Sequence, residues 1–429
     1  MKYLPINPEL FIKNRENFKK NMRQNSLAIF NSNDEMPRNG DQDYLFRQNS
    51  DFFYLTGIDQ EKSILLLCPE CPNPKYREVL FLVETNEHIA IWYGHKYTKE
   101  EATTTSGIKN IMWLDSFQSV LTDVMSNTNN IYLNTNENSR YMNEVPYRDI
   151  RFAADLKAKF PVHNYFRAAP IVAKLRTVKS AIEIELIQKA CDITEKAFRR
   201  LLKFVKPGVM EYEVEAEISH EFIKNRASGH SYNPIVASGK SACVLHYVEN
   251  NKECKDGDLM LLDFGAEYAN YAGDLSRTIP VNGKFTPRQK DVYNACLNVL
   301  KKAKSMLVVG STIDKYHAEV CKIMEKELIS LGLFTAEDVK NQPADKPLYF
   351  KYFMHGTSHF MGLDVHDVGC KQEEIQAGMV FSCEPGIYIM EEGIGIRIEN
   401  DILVTENGPV DLMQNIPIEV DEIEALMAV

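Results

Sequence analysis

Apolar residues fall in short runs through the first 173 positions, at Leu27 to Phe30, Ile64 to Leu67 and Val79 to Val83. Asn, Asp, Pro and Gly separate these runs, and segments of this length between turn formers predict the strands of a mixed α/β domain. The Asn-rich stretches Asn127 to Asn130 and Asn134 to Asn138 read as polar surface connections. From Ser180 the period changes. Ser180-x-x-Glu183 has the form of a capping box, and Leu186, Ala190, Ile193, Ala197 and Leu201 then recur at helical spacing until Lys206-Pro207-Gly208. A second helical stretch carries Val214, Ile218 and Phe222, and strand-like runs follow at Leu259 to Phe264 and Tyr271 to Val281. The order then repeats. Thr286-Pro287 with Gln289 opens a helix, Ile313 to Leu331 is helical and closed by Gly332, and strand-like runs appear at 379 to 389 and 395 to 405. Two rounds of helix, helix, strands predict a duplicated α+β unit with the strands gathered around one site.

A chain of 429 residues exceeds the roughly 250 to 300 that one core supports, so two domains are expected, 1 to 173 and 174 to 429. Hydrophobic residues at 44% and charged residues at 25% give the balance of a globular protein. A net charge of −11 argues against nucleic acid or anionic lipid as a partner. The first residues show no basic segment followed by an apolar one, and no apolar run reaches the ~18 residues of a membrane span. The expected location is the cytoplasm. Nine scattered cysteines suit a reducing compartment, and Cys68-Pro69-Glu70-Cys71, with no second pair to complete a tetrahedral site, reads as a strand-end coincidence.

The strand-like segments and the stretch before the last pair carry five metal-capable side chains: Asp263, Asp274, His359, Glu384 and Glu399. Asp263 follows Leu259-Met260-Leu261-Leu262, Glu384 follows Met379-Val380-Phe381, and Glu399 stands between Ile398 and Ile402-Leu403-Val404. A carboxylate buried among such neighbours needs a cation or a proton. Four carboxylates balance the charge of two divalent ions, and oxygen ligands with one imidazole suit Mn²⁺, Co²⁺, Fe²⁺ or Zn²⁺.

Those five residues fall in the order and local contexts of the metal ligands of the creatinase-like, or pita-bread, metallopeptidases. Within that group, His355-Gly356-Thr357-Ser358-His359-Phe360-Met361-Gly362-Leu363-Asp364-Val365-His366-Asp367 and Glu384-Pro385-Gly386-Ile387-Tyr388 most resemble the Xaa-Pro aminopeptidases. Phe46 to Gly57 is similar to the amino-terminal signature of the aminopeptidase P enzymes. The resemblance implies a creatinase-like amino-terminal domain followed by a duplicated pita-bread catalytic domain.

It also implies an activity: release of the first residue of a peptide whose second residue is proline, with a hydroxide bridging two metal ions, Mn²⁺ foremost, as nucleophile. Asp263 would bind one ion, His359 and Glu384 mainly the other, and Asp274 and Glu399 both. Glu384 would carry the proton to the leaving nitrogen. His366 would stabilise the tetrahedral state, and His246 and His355 would flank the proline. Arg397 would hold the peptide's carboxyl side or fix a ligand, and Tyr388 would add pocket surface. Trp92 occupies a segment that can approach a neighbouring subunit's site, which implies a homodimer or homotetramer. A prolidase restricted to Xaa-Pro dipeptides and a non-catalytic peptide-binding protein of the same fold are the competing expectations.

Overall fold

The computed structural model describes residues 2–138, 140, 144–343 and 345–428. It divides into two compact units, Tyr3–Arg176 and Thr177–Val429.

The first unit is built on a six-stranded sheet in the order Ile111–Trp113, Glu78–Leu82, Ile64–Leu67, Ser26–Asn31, Asn130–Leu133, Asn164–Arg167. Ser26–Asn31 is the pivot, antiparallel to Ile64–Leu67 and parallel to Asn130–Leu133. Every residue of this strand is buried, and its centre, Leu27 to Phe30, is a continuous apolar run and not an alternation. One face packs Leu27, Ile29, Leu66 and Phe81 against Val120 and Leu121. The signature segment forms the helix Ser50–Thr56: Asn49 caps it by accepting from Phe52 N–H, and Gly57 ends it at φ +67°. A Cβ at Gly57 would stand 2.3 Å from the Phe11 ring, so both conformation and space require glycine there. The Asn-rich stretches are less superficial than their composition predicts. Asn130 begins a strand, and Asn134 is buried and donates to Asp51 at 2.9 Å. Cys68 and Cys71 are buried free thiols in a turn after Ile64–Leu67, where Cys71 N–H donates to the Cys68 carbonyl.

The second unit opens with the helix Ala181–Phe204. Ser180 and Glu183 satisfy each other's main-chain N–H groups, and Pro207 follows the helix end. The helix Glu211–Lys224 packs on it. Next comes an antiparallel sheet ordered Ile235–Ser238, Leu259–Phe264, Leu275–Pro280, with Asp263 opposite Ile235 on one side and Ser276 on the other. The helices Pro287–Ser305 and Ile313–Ser330 begin the second round. It ends in the sheet Val380–Cys383, Asn400–Thr405, Gly408–Asp411 and the hairpin Gly386–Ile389 with Ile394–Arg397.

The expected long strands are each divided. The run 271 to 281 breaks at Gly273-Asp274, 379 to 389 at Glu384-Pro385, and 395 to 405 at Ile398-Glu399. Pro385 has no N–H for a ladder. At the other breaks the N–H groups leave their own sheets: Asp274 N–H donates to the Asp401 carboxylate, and Glu399 N–H donates to the Ser276 carbonyl, at 3.0 Å each. These crossings bind the two rounds of the repeat together; Asp274 and Glu399 sit on them, and Glu384 sits at the third break.

Candidate metal centre

Asp274, His359 and Glu399 are buried, and one ligand atom from each lies within 4.8 Å of the others. His359 Nε2 is 3.3 Å from Asp274 Oδ2 and 3.6 Å from Glu384 Oε1. The other ring nitrogen, Nδ1, meets the Phe360 carbonyl at 3.1 Å, which can only accept. Nδ1 therefore carries the proton in the neutral ring, and the Nε2 lone pair points among the carboxylates, the arrangement of a histidine prepared for a metal.

The His359 segment is held along its main chain by the edge of Val380–Cys383. Met361 N–H donates to Val380, Ser382 N–H to His359 and Glu384 N–H to Thr357, all at 2.9 to 3.0 Å. Asp263 is joined to the cluster by two groups. Tyr232 reaches Asp263 Oδ1 at 2.6 Å and also Asp274 Oδ1, while Arg397 donates from Nη2 to Asp263 Oδ2 at 2.5 Å. Arg397, only 4% exposed, also donates from Nη1 to Tyr388 Oη at 2.8 Å and from Nε to Ser276 Oγ at 2.9 Å. Ser276 in turn donates to Glu399 Oε2 at 2.7 Å.

The electrostatics are those of a site short of positive charge. Burial raises Asp263, and the nearby Asp274 adds to the shift although Arg397 opposes it. Burial, then Asp274 and Glu384, raise Glu399 well above the carboxylate range. Burial pushes Glu384 up to about 7, against the opposing charge of His359 and with the repulsion of Asp274. Burial lowers His359, but the hydrogen bond to Asp274 and the charge of Glu384 outweigh it and bring it to about 9. Glu399 Oε1 is buried without a hydrogen-bond partner. An orphaned carboxylate oxygen, an imidazole Nε2 turned toward the carboxylates and mutually repelling carboxylates are together a donor set that fits divalent cations.

Around these residues, His355 donates from Nδ1 to the Gly356 carbonyl and accepts the Tyr388 hydroxyl at Nε2, 2.9 Å. Burial, then Arg397, lowers His355 to about 3, so it is neutral. The His366 ring stands edge-on to His359 with centroids 4.4 Å apart. His246 is exposed and close enough to affect His355 electrostatically. Tyr388 is 3% exposed, its hydroxyl engaged by Arg397 and His355. Trp92 lies in the first unit on the helix Glu87–Tyr93 and is 74% exposed.

Sequence reasoning missed Tyr232, Ser276 and Asp401. Tyr232 stands in a polar segment between two short strands, with no periodic signal to mark it. Asp401 did carry a signal, since a carboxylate directly before Ile402-Leu403-Val404 has the context that singled out Glu399. It is fully buried, it accepts from Asp274 N–H and Cys191 Sγ, and its Oδ1 has no partner.

A buried cluster of carboxylates and one imidazole, with three of the carboxylates at breaks between short strands of a repeated α+β unit, makes a candidate centre for divalent metal. Residues 185–406 match metallopeptidase family M24, and residues 11–132 match the aminopeptidase P N-terminal domain. The Xaa-Pro aminopeptidase of Escherichia coli K12 is 35% identical over 98% of this chain and 98% of its own. An E. coli aminopeptidase P structure with the inhibitor Pro-Leu superposes with a TM-score of 0.88 at 33% identity, covering 99% of both chains. The zinc-substituted E. coli enzyme with product gives the same TM-score, identity and coverage. The chain belongs to the Xaa-Pro aminopeptidases of metallopeptidase family M24.

Proposed function

We propose that this chain is a metal-dependent aminopeptidase that hydrolyses the bond between an amino-terminal residue and a following proline. The observation that carries the reading is the Asp274, His359, Glu399 cluster with its orphaned Glu399 oxygen, in a chain similar along nearly its whole length to Xaa-Pro aminopeptidases. Two divalent ions fit the charge of the site, with Mn²⁺ favoured by its oxygen-rich donors. Asp263 would hold one ion, His359 and Glu384 the other, and Asp274 and Glu399 both. When bound, such ions polarise the scissile carbonyl and acidify water.

The chain's own groups do the rest. Glu384 carries the proton to the proline nitrogen, a role suited to a carboxylate that stands beside His359 and is only partly buried. His366, beside His359, faces the carbonyl oxygen as negative charge develops there. His355, neutral and locked to Tyr388, forms with His246 the walls of the proline pocket. Arg397 opposes the rise that burial gives Asp263 and fixes its carboxylate by a hydrogen bond. Residues 1 to 173 form the leading domain and 174 to 429 the catalytic one. Trp92, on an exposed helix, contributes to a neighbouring subunit's site in a homodimer or homotetramer.

No helix among the described residues is long and apolar enough to cross a membrane. The test is mass spectrometry of Arg-Pro-Pro-type peptides and of Xaa-Pro dipeptides after incubation with Mn²⁺-loaded protein. Release of the first residue from the longer peptides is expected. Cleavage of dipeptides alone would make it a prolidase, and cleavage of neither would leave a binding protein.

A further inference from the structure

His317 has no part in the chemistry above, yet it lies against the segment that supplies two of the site's histidines. It stands on the second turn of the helix Ile313–Ser330, half-buried, beside the Phe353 ring. Its Nδ1 is 2.9 Å from Thr357 Oγ1 and 3.3 Å from Thr357 N. A main-chain N–H can only donate, so Nδ1 bears a lone pair shared by the two Thr357 donors. The ring proton is on Nε2, which faces Cys321 Sγ at 3.5 Å, one helical turn further on. Burial and then Lys371 disfavour a second proton on this ring.

Thr357 is fully buried and lies midway between His355 and His359. Its carbonyl accepts the N–H of Glu384 at 2.9 Å. A single residue thus connects the helix, through His317, to the main chain of Glu384, with a histidine of the site two positions away on either side.

We propose that His317 is a positioning residue for the metal centre: as the acceptor for both Thr357 donors it sets the height of the His355 to His359 segment and, through the Thr357 carbonyl, of Glu384. The proposal rests on the reading that His359 and Glu384 bind metal. Without the acceptor, the Thr357 N–H would be buried unpaired, and the segment would have to shift to find it a partner.

The test compares His317→Asn with His317→Gln in the full chain. The Asn Oδ1 takes the place of Nδ1, whereas the Gln amide lies one methylene further out, at the level of Nε2 and past Thr357. Mn²⁺ affinity is measured by calorimetry, kcat and KM on a peptide with proline second, and Tm in chelator. His317→Gln is expected to lose roughly ten- to a hundredfold in Mn²⁺ affinity and in kcat, the range typical of residues supporting metal ligands, with KM raised as His355 moves with the segment and Tm in chelator little changed. His317→Asn is expected to restore most of both. Parent-like Mn²⁺ affinity and kcat in His317→Gln overturn the proposal, as does equal impairment of the two variants. Should His317→Gln fail to fold, His317→Ala removes the acceptor for both donors, and unchanged affinity and kcat in that variant also overturn it. If the parent releases nothing ahead of proline, the substrate reading fails while the Mn²⁺ titrations still decide the role of His317.

Discussion

Glu384 and Glu399 are both carboxylates of the proposed metal centre, but their surroundings differ. Glu399 is 2% exposed, receives Ser276 at one oxygen and has no protein partner at the other. Glu384 is more open, within 3.8 Å of His355 and 3.6 Å of His359, and titrates near 7. Glu384→Gln keeps shape and one donor oxygen but removes basicity, so kcat should fall ~10²-fold or more and stay low across a Mn²⁺ titration. Glu399→Gln weakens a proposed ligand without touching the proposed proton carrier, and added Mn²⁺ should recover a larger share of its activity. Recovery of full activity by Glu384→Gln at high Mn²⁺ would reduce that residue to a ligand. Arg397 allows a separate test by equilibrium unfolding in urea. Replacing it with Met removes the buried partner of Asp263, and in chelator the loss should approach about 3–5 kcal/mol, the cost of an uncompensated buried charge. Mn²⁺ should restore part of that loss, and a variant as stable as the parent in chelator would mean that Asp263 does not depend on Arg397.

The elements place these residues through close contacts between main chains, and glycine marks the tightest one. A Cβ on Gly265 would lie 1.7 Å from the Gly273 carbonyl, one residue before Asp274. Ser231 Oγ is 2.9 Å from both the Gly265 and Gly273 carbonyls. Gly265→Ala must therefore part the two segments, and a destabilisation of at least about 1–3 kcal/mol in urea, with weaker Mn²⁺ binding, is expected. An alanine variant of parental stability would mean that the approach is not required. Gly265 is an ordinary glycine in the sequence, because the carbonyl that excludes a side chain arrives from eight residues on. The same distinction separates what was legible from what was not. The capping boxes at Ser180 and Thr286 and the buried strand Ser26–Asn31 are local patterns, and each was readable. The breaks at Asp274 and Glu399 were hidden because the bonds that cause them run to Asp401 and Ser276, more than a hundred residues away in sequence. For the candidate site, the charged residues in apolar contexts stood out, whereas Tyr232 and Ser276 act by hydrogen bonds that only the folded chain reveals.

For the whole molecule, a metal-free site of this kind makes stability depend on pH in a definite direction. His359 titrates near 9 in the fold against an ordinary 6.5, and Glu384 near 7 against 4.5. Both folded values are raised, so both groups bind protons more tightly in the folded chain, and the associated stability is complete below the ordinary value. It is lost as pH rises through the folded value, between 4.5 and 7 for Glu384 and between 6.5 and 9 for His359. Cations compete for the same sites with the opposite sign, since ligands must be deprotonated to bind them. The stabilisation given by Mn²⁺ should therefore grow from pH 5 to pH 9, whatever other groups contribute to the absolute Tm. Melting curves at each pH, with chelator and with saturating Mn²⁺, isolate this difference because the rest of the chain is common to both. Chelation should also abolish peptide cleavage, and Mn²⁺ or Co²⁺ should return it. A difference in Tm that shrinks toward pH 9 would contradict the assignment of His359 and Glu384 as ligands, and full cleavage after exhaustive chelation would remove metal from the reaction altogether.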